Sequence, residues 1–370
     1  MARPTYFVTG YPGFIGRRLV QFIAERAKDG RIYLLVQPKF LAQARAEVGK
    51  LKGPPIEVLT GDIVDLHLGL SGDEYQRLSS EVTHVFHLAA ISYLGMPHKT
   101  AYRVNVEGTR NVLELARDAK NLERFVHFST TYVSGDRVGV IAEDELEAGQ
   151  AFRNAYEETK YEAEKLVQRA AKTLPITILR PSTVVGDSAT GEIDRFDGPY
   201  YLGMVLVLSP LVVPLPLPGN GVAPLNVVPV NFVVEAAWYL AHKKEAIGRT
   251  VHLVDPNPMS ARRAYEMIAE MANRKLTRFN LSARAADAVM RLPGLEKLVR
   301  PQRAAINYVN HLALYSCHGA LELLDGSGVR CPPLTSYLDK LVRFAREHYQ
   351  KRKDLAADVD DPLDRDPNTA

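Results

Sequence analysis

Over its first 180 residues the chain alternates short apolar runs with longer stretches whose apolar residues recur every three or four positions. The runs predict strands over Thr5–Thr9, Arg31–Val36, Ile56–Leu59, Val82–Ala90, Phe125–Thr130 and Ile176–Leu179. The periodic stretches predict helices over Gly13–Lys28, Lys39–Leu51, Thr100–Arg117 and Asn154–Ala171. In the first of these Ile15, Leu19, Phe22 and Ile23 share a face and Gly30 is the stop; a further helix opens at a capping box, Ser71 to Glu74. Strands and helices alternating at these lengths predict an α/β fold, a doubly wound parallel sheet covered on both faces.

After about Gly186 the alternation fades. Val251–Val254 reads as one more strand, and Ser260–Lys275, Leu281–Arg291 and Leu334–Lys353 as helices. Gly198–Val234 holds no charged residue, yet Pro210, Pro214, Pro216 and Pro218 interrupt it, which argues against a simple spanning helix. Three readings stay open for it: buried loop and short elements over the core, the wall of an apolar pocket, or a lipid-touching surface. The expected division is 1–190 for a cofactor-binding domain that carries the catalytic residues, and 191–353 for a smaller, mostly helical substrate region interleaved with it. Residues 354–370, acidic apart from Arg365, are an expected disordered tail.

Composition narrows the classes. The chain is 46% hydrophobic and 24% charged, as globular domains are, and its net charge of +3 is too small to argue for nucleic acid. The two cysteines, Cys317 and Cys331, read as free thiols in a reducing compartment. The N-terminus runs straight into a strand without a signal or transit pattern, so a cytoplasmic location is expected. No metal is expected.

Gly10, Gly13 and Gly16 fall between the first strand and the first helix. Glycines there let the backbone approach a pyrophosphate, and the helix N-terminus offers free N–H groups and partial positive charge. This is the Rossmann-type arrangement, so Gly10, Tyr11, Pro12, Gly13, Phe14, Ile15 and Gly16 are the expected dinucleotide loop. NAD binders place a carboxylate about 20 residues further on to hold the ribose. None occurs in 34–40; Gln37 and Lys39 stand there, with Arg17 and Arg18 just after the glycines. A 2′-phosphate is attracted by such cations, so NADP(H) is favoured over NAD(H).

Tyr-x-x-x-Lys occurs four times, at Tyr156/Lys160, Tyr161/Lys165, Tyr239/Lys243 and Tyr349/Lys353. An i, i+4 pair shares a helix face, so either of the first two could serve a cofactor. A free phenol has a pKa of ~10, and a neighbouring ammonium is expected to lower it so that the phenol can protonate a carbonyl oxygen.

The loop resembles that of the extended short-chain dehydrogenase/reductases, which carry TGxxGFxG there. Their Tyr-x-x-(Ser/Thr)-Lys pattern, followed by a small residue and a Glu, is matched by Tyr156, Thr159, Lys160, Ala163 and Glu164. Their active hydroxyl, five residues before a Gly, falls on Thr130 ahead of Gly135, with Ser129 the runner-up. The resemblance further implies Asn105 as the helix Asn that binds a backbone carbonyl near the Lys. It places Asp62 and Ile63 at the adenine edge, Leu88, Ala89 and Ala90 along the cofactor, and Pro181, Ser182, Thr183 and Val184 beside the nicotinamide.

Within that class, Ile32–Lys39 is similar to a segment of fatty acyl-CoA reductases and thioester reductase domains, departing at Gln37 where that group carries Arg. Val228–Asn231 is similar to their Val-Pro-Val-Asp. The resemblance covers roughly residues 5–255. It implies an apolar thioester substrate, on coenzyme A or an acyl carrier protein, reduced to aldehyde or alcohol. A hydroxysteroid-type or other alcohol dehydrogenase, a nucleotide-sugar epimerase and a non-catalytic NADP-binding regulator are the competing readings. An Arg-rich region (Arg262, Arg263, Arg274, Arg278, Arg284, Arg291, Arg300, Arg303) reads either as a docking face for CoA phosphate or carrier protein, or as a solvated face. The last helix reads either as packed on the core or as peripheral membrane contact. Relatives of this class are often dimers, so the resemblance leaves a homodimer open, which the sequence itself does not reveal.

Overall fold

The computed structural model describes residues 3–92, 95–194, 221–273 and 311–355. The predicted helix 281–291, the arginines from 274 to 303, the apolar stretch up to residue 220 and the tail from 356 lie outside the described residues.

Seven strands form one parallel sheet: β1 (Thr5–Thr9), β2 (Arg31–Val36), β3 (Ile56–Thr60), β4 (His84–His87), β5 (Arg124–Phe128), β7 (Ile176–Pro181) and β10 (Thr250–Leu253). Their spatial order is β10-β7-β5-β4-β1-β2-β3. The chain runs outward from β1 to β3 and then returns to the other side of β1 at β4. The order therefore reverses between β1 and β4, and a ligand crevice opens at the carboxyl ends of such strands. Thr9 ends β1 in register with His87, which ends β4, and His87 pairs with His127 of β5.

Alternation along each strand feeds two cores, one on each face. Val8, Leu34, Phe86, Val126 and Leu179 pack with Leu19 and Ile23 of α1 (Phe14–Arg26) and with Val233, Ala237 and Leu240 further along the chain. Phe7, Tyr33, Val85, Phe125 and Ile178 pack with Leu78 of α3 (Gly72–Glu81), Val112 and Leu115 of α5 (Gly108–Asp118) and Val167 of α6 (Ala155–Ala170). The predicted capping box is present: Ser71 Oγ accepts from the Glu74 N–H, and the Glu74 carboxylate accepts from the Ser71 N–H.

The differences from the pattern reading have physical causes. The single helix expected over 100–117 is instead α4 (His98–Tyr102), a π turn (Arg103–Glu107) and α5, and Asn105 sits in that π turn. Helix 39–51 is a 3₁₀ turn (Pro38–Phe40) followed by α2 (Leu41–Val48). Helix α7 (Val230–His242) was not predicted, because eight of its thirteen residues are buried and its apolar residues run all round. Two parallel pairs were also missed: β6 (Gly139–Ile141) with β11 (Ala313–Tyr315), and β8 (Thr183–Val185) with β9 (Val227–Pro229). Strands of three residues are too short to show a period. A short helix, α9 (His318–Leu324), also escaped.

The chain forms two compact units, one of residues 1–185, 226–258 and 311–332, the other of 186–225, 259–310 and 333–370. In the second, α8 (Ala261–Met271) and α10 (Leu338–Leu355) are tied by Arg346, which donates to the Met271 carbonyl at 2.7 Å. Leu338, Leu341 and Val342 of α10 are buried, so these apolar residues face inward. No described helix is long and apolar enough to cross a membrane.

Candidate active site

The loop after β1 is built by the absence of side chains. Gly10 has φ +88°, and a Cβ there would lie 2.8 Å from the Ala89 nitrogen and 2.9 Å from the Leu88 carbonyl carbon. A Cβ on Gly16 would lie 2.5 Å from the Gly10 carbonyl oxygen. Loop, helix start and the end of β4 thus touch backbone to backbone. Gly13 caps α1 without a side chain, and the first turn of α1 carries no carboxylate. By helix geometry the first N–H groups of α1 have no helical acceptor, so the loop offers an anion a set of donors and no negative charge. A second sign of fit lies across the crevice: the Ser182 hydroxyl is buried without a hydrogen-bond partner. Ser182 and Thr183 follow β7 at the carboxyl edge of the sheet, and Val184 continues into β8 against the first core.

Around the expected ribose, Gln37 donates to Asp62 Oδ2 at 2.6 Å, while Asp62 Oδ1 accepts from the Val64 N–H at 3.2 Å. The Ile63 side chain is buried against Gly108, whose missing Cβ makes room for it. Lys39 is exposed at the end of β2, its Nζ 5.0 Å from the Phe40 ring. Arg17 pairs with Glu47 of α2 at 3.4 Å, a carboxylate that counting along the chain from the glycines does not find. Tyr11 is buried, and its phenol is pushed up, first by burial and then by Glu47.

The catalytic candidates converge on β5 and α6. Thr130 follows β5, is buried, and accepts from the Tyr132 N–H at 3.3 Å; its hydroxyl lies near enough to that of Tyr156 to favour the phenolate. Tyr156 and Lys160 lie one turn apart on α6, whose start is fixed by Asn154 Oδ1 accepting from the Glu157 N–H at 3.0 Å. Lys160 is buried and donates to the Phe128 carbonyl at 2.7 Å. Burial lowers its ammonium to about 8, with the Glu164 carboxylate opposing. Tyr156 departs from expectation. Burial, the largest cause, pushes its phenol up to about 12; the Thr130 hydroxyl pulls it down and Glu157 pushes it up.

The π turn explains two residues together. Asn105 accepts from the Ile91 N–H at 2.8 Å and donates to the Ile91 carbonyl at 3.2 Å and to Thr159 Oγ1 at 2.9 Å. The hydroxyl that precedes Lys160 in the motif is therefore a link between α6 and Asn105. Ser129, the runner-up to Thr130, donates to Glu164 at 2.5 Å and is committed there. Of the other Tyr/Lys pairs, Lys165 lies over the Tyr161 ring at 5.1 Å and pairs with Glu147 and Glu162, while Lys243 donates to the Leu323 carbonyl at 2.7 Å. The side chains of Tyr349 and Lys353 lie outside the described residues. Among the described residues no cluster of His, Cys, Asp and Glu suits a metal.

Residues 8–237 match the NAD-binding family described as male sterility protein. Fatty acyl-CoA reductase wat of Drosophila melanogaster is 29% identical over 285 residues, 64% of this chain and 54% of the fly protein. The chain thus spans about half the length of that curated relative. Among solved structures, the terminal R domain of the myxalamid PKS-NRPS biosynthetic pathway aligns over 94% of this chain and 92% of its own, with 28% identity and a TM-score of 0.80. A thiolation-reductase di-domain from an archaeal non-ribosomal peptide synthetase aligns over 95% and 76%, with a TM-score of 0.75; at 17% identity it shows the fold alone. With the match covering more than half of the chain, and with the glycine loop and the Thr130–Tyr156–Lys160 cluster in place, the chain belongs to the male sterility protein family of NAD(P)-binding extended short-chain dehydrogenase/reductases.

Proposed function

We propose that this chain is an NADPH-dependent reductase of acyl thioesters, taking a fatty-acyl or carrier-bound thioester to the aldehyde or alcohol. Residues 1–190 bind the cofactor and carry the chemistry, and 191–353 supply the substrate side. The observation that carries this reading is Thr130 just after β5, with Tyr156 and Lys160 one turn apart on α6, on a chain aligned along nearly its whole length with a terminal R domain. When bound, the nicotinamide cofactor supplies hydride. The chain's own work is to hold and protonate. The donors at the start of α1 take the pyrophosphate, and Lys39 takes the 2′-phosphate. Lys160 holds the nicotinamide ribose. Thr130 and Tyr156 donate to the carbonyl oxygen of the thioester, and the Tyr156 proton passes to that oxygen as negative charge develops there. Collapse of the resulting hemithioacetal releases thiol and aldehyde. A second equivalent of reductant and proton yields the alcohol.

The test is NADPH oxidation by the purified chain with acyl-CoAs of increasing length, with product analysis. Consumption that rises with chain length, and stoichiometric thiol release, is expected. Turnover of sterols or long aldehydes without any thioester activity overturns the thioester reading in favour of an alcohol dehydrogenase.

A further inference from the structure

We propose that Glu164, clamped by Arg180 and Ser129, is a positioning residue that holds Lys160 in its charged form at the end of β5. The proposal rests on the assignment of Tyr156 and Lys160 as the reacting pair. Glu164 lies one turn beyond Lys160 on α6 and is fully buried. Arg180 Nε reaches its two oxygens at 3.0 and 3.1 Å, Arg180 Nη2 reaches Oε1 at 2.6 Å, and Ser129 Oγ donates to Oε2 at 2.5 Å. Arg180 is anchored in turn by the His252 ring at 3.2 Å and the Glu143 carbonyl at 3.2 Å. Three elements, β5, α6 and β7, thus fix one carboxylate with no freedom to turn away.

A buried ion pair is a poor way merely to join β7 to α6. Its desolvation cost offsets its attraction, and apolar residues of similar volume hold such contacts as well or better. What an apolar pair cannot supply is a negative charge one turn from a buried ammonium. The groups around Lys160 show the need for it. Tyr156 shares its helix, and from the sheet come His87 of β4, His127 of β5 and the Phe128 carbonyl. Both imidazoles are neutral, held far below their ordinary range by burial and by Lys160 itself. Both His127 ring nitrogens are without a hydrogen-bond partner, so that side offers the ammonium no fixed anion. Among the described residues Glu164 is the carboxylate acting on Lys160, and it acts against the burial that drives the ammonium toward the neutral amine.

The test reads Lys160 directly. ¹⁵N NMR of lysine side chains, with the Lys160 signal assigned by its loss in Lys160→Met, follows the titration of Nζ without any turnover. Glu164→Gln keeps the shape and removes the charge; Glu164→Asp keeps the charge. In the Gln variant Lys160 is expected to titrate about one pH unit or more below wild type. The alkaline limb of the kcat profile moves the same way, and the Asp variant stays near wild type. A Gln variant that melts earlier while Lys160 titrates as in wild type overturns the proposal, since a purely structural clamp moves the melting temperature alone. If Glu164→Gln does not fold, the Glu164→Gln/Arg180→Met double variant, which leaves no guanidinium without its carboxylate, decides by the same criterion. Failure of wild type to reduce any thioester removes the functional reading, yet the Nζ titration still decides the role of Glu164.

Discussion

The glycine loop and the β5–α6 cluster stand at the same edge of one sheet, yet they are built on opposite principles. The loop works because atoms are missing: at Gly10 and Gly16 a single methyl group would meet backbone at 2.5–2.9 Å. The cluster works because atoms are present and engaged: Asn105 bonds Thr159, Ser129 and Arg180 bond Glu164, and Lys160 bonds the Phe128 carbonyl, all of them buried. Close packing makes the first intolerant of addition. Low local polarity makes the second intolerant of removal, since a lost partner leaves a buried charge or donor unpaired.

That contrast can be broken in four ways. The largest effect is expected at Tyr156→Phe, which removes one oxygen from the cluster. Turnover should fall by about 10²–10⁴-fold with NADPH binding nearly unchanged. Retained activity would move the acid to another group, and Tyr161→Phe would be the next variant to assay. Next is Gly16→Ala, which adds one carbon to the loop. It should cost about 1–3 kcal/mol of stability and weaken both cofactors alike, as read by denaturant unfolding and fluorescence titration. Gly72→Ala is the matching comparison, because a Cβ there meets nothing within 4 Å. It should leave stability unchanged or raise it slightly.

Acid probes the same contrast from the side of the buried polar groups. His84, His87 and His252 are lowered to about 3, each first by burial. Their unfolded value is about 6.5, so the fold favours the neutral rings. Their contribution to stability is complete above pH 6.5 and is lost progressively as pH falls toward 3. Between pH 7 and pH 5 each should cost about 2 kcal/mol, read by urea unfolding at the two pH values. Flat stability across that interval would mean the rings are not held neutral. The smallest effect is expected at Lys39→Ala on the exposed rim. NADPH should weaken by roughly tenfold and NADH hardly at all. Equal loss for both cofactors would remove Lys39 from the 2′-phosphate. Arg17→Ala in parallel would show whether a guanidinium already paired with Glu47 still contributes.

Much of the molecule was legible in the chain. Apolar runs and three-glycine spacing, which depend on neighbours in sequence, located β1, β2, the dinucleotide loop and the helix that carries Tyr156 and Lys160. The preference for Tyr156/Lys160 among four Tyr/Lys pairs came from the resemblance, through the Thr before Lys160. The pattern could not reach features made by residues far apart. Glu47 of α2 meets Arg17 of α1, and Ser129 is committed to Glu164, which Arg180 of β7 also holds. The sequence by itself determined the alternation of elements and the candidate chemistry, because periodicity, glycine freedom and helix spacing are local properties of a chain. The tertiary structure alone decided which hydroxyls are already committed, which charges are already paired, and which titratable groups are buried. Hydrogen-bond partners and desolvation are properties of what surrounds a side chain in space, and a one-dimensional pattern does not contain them.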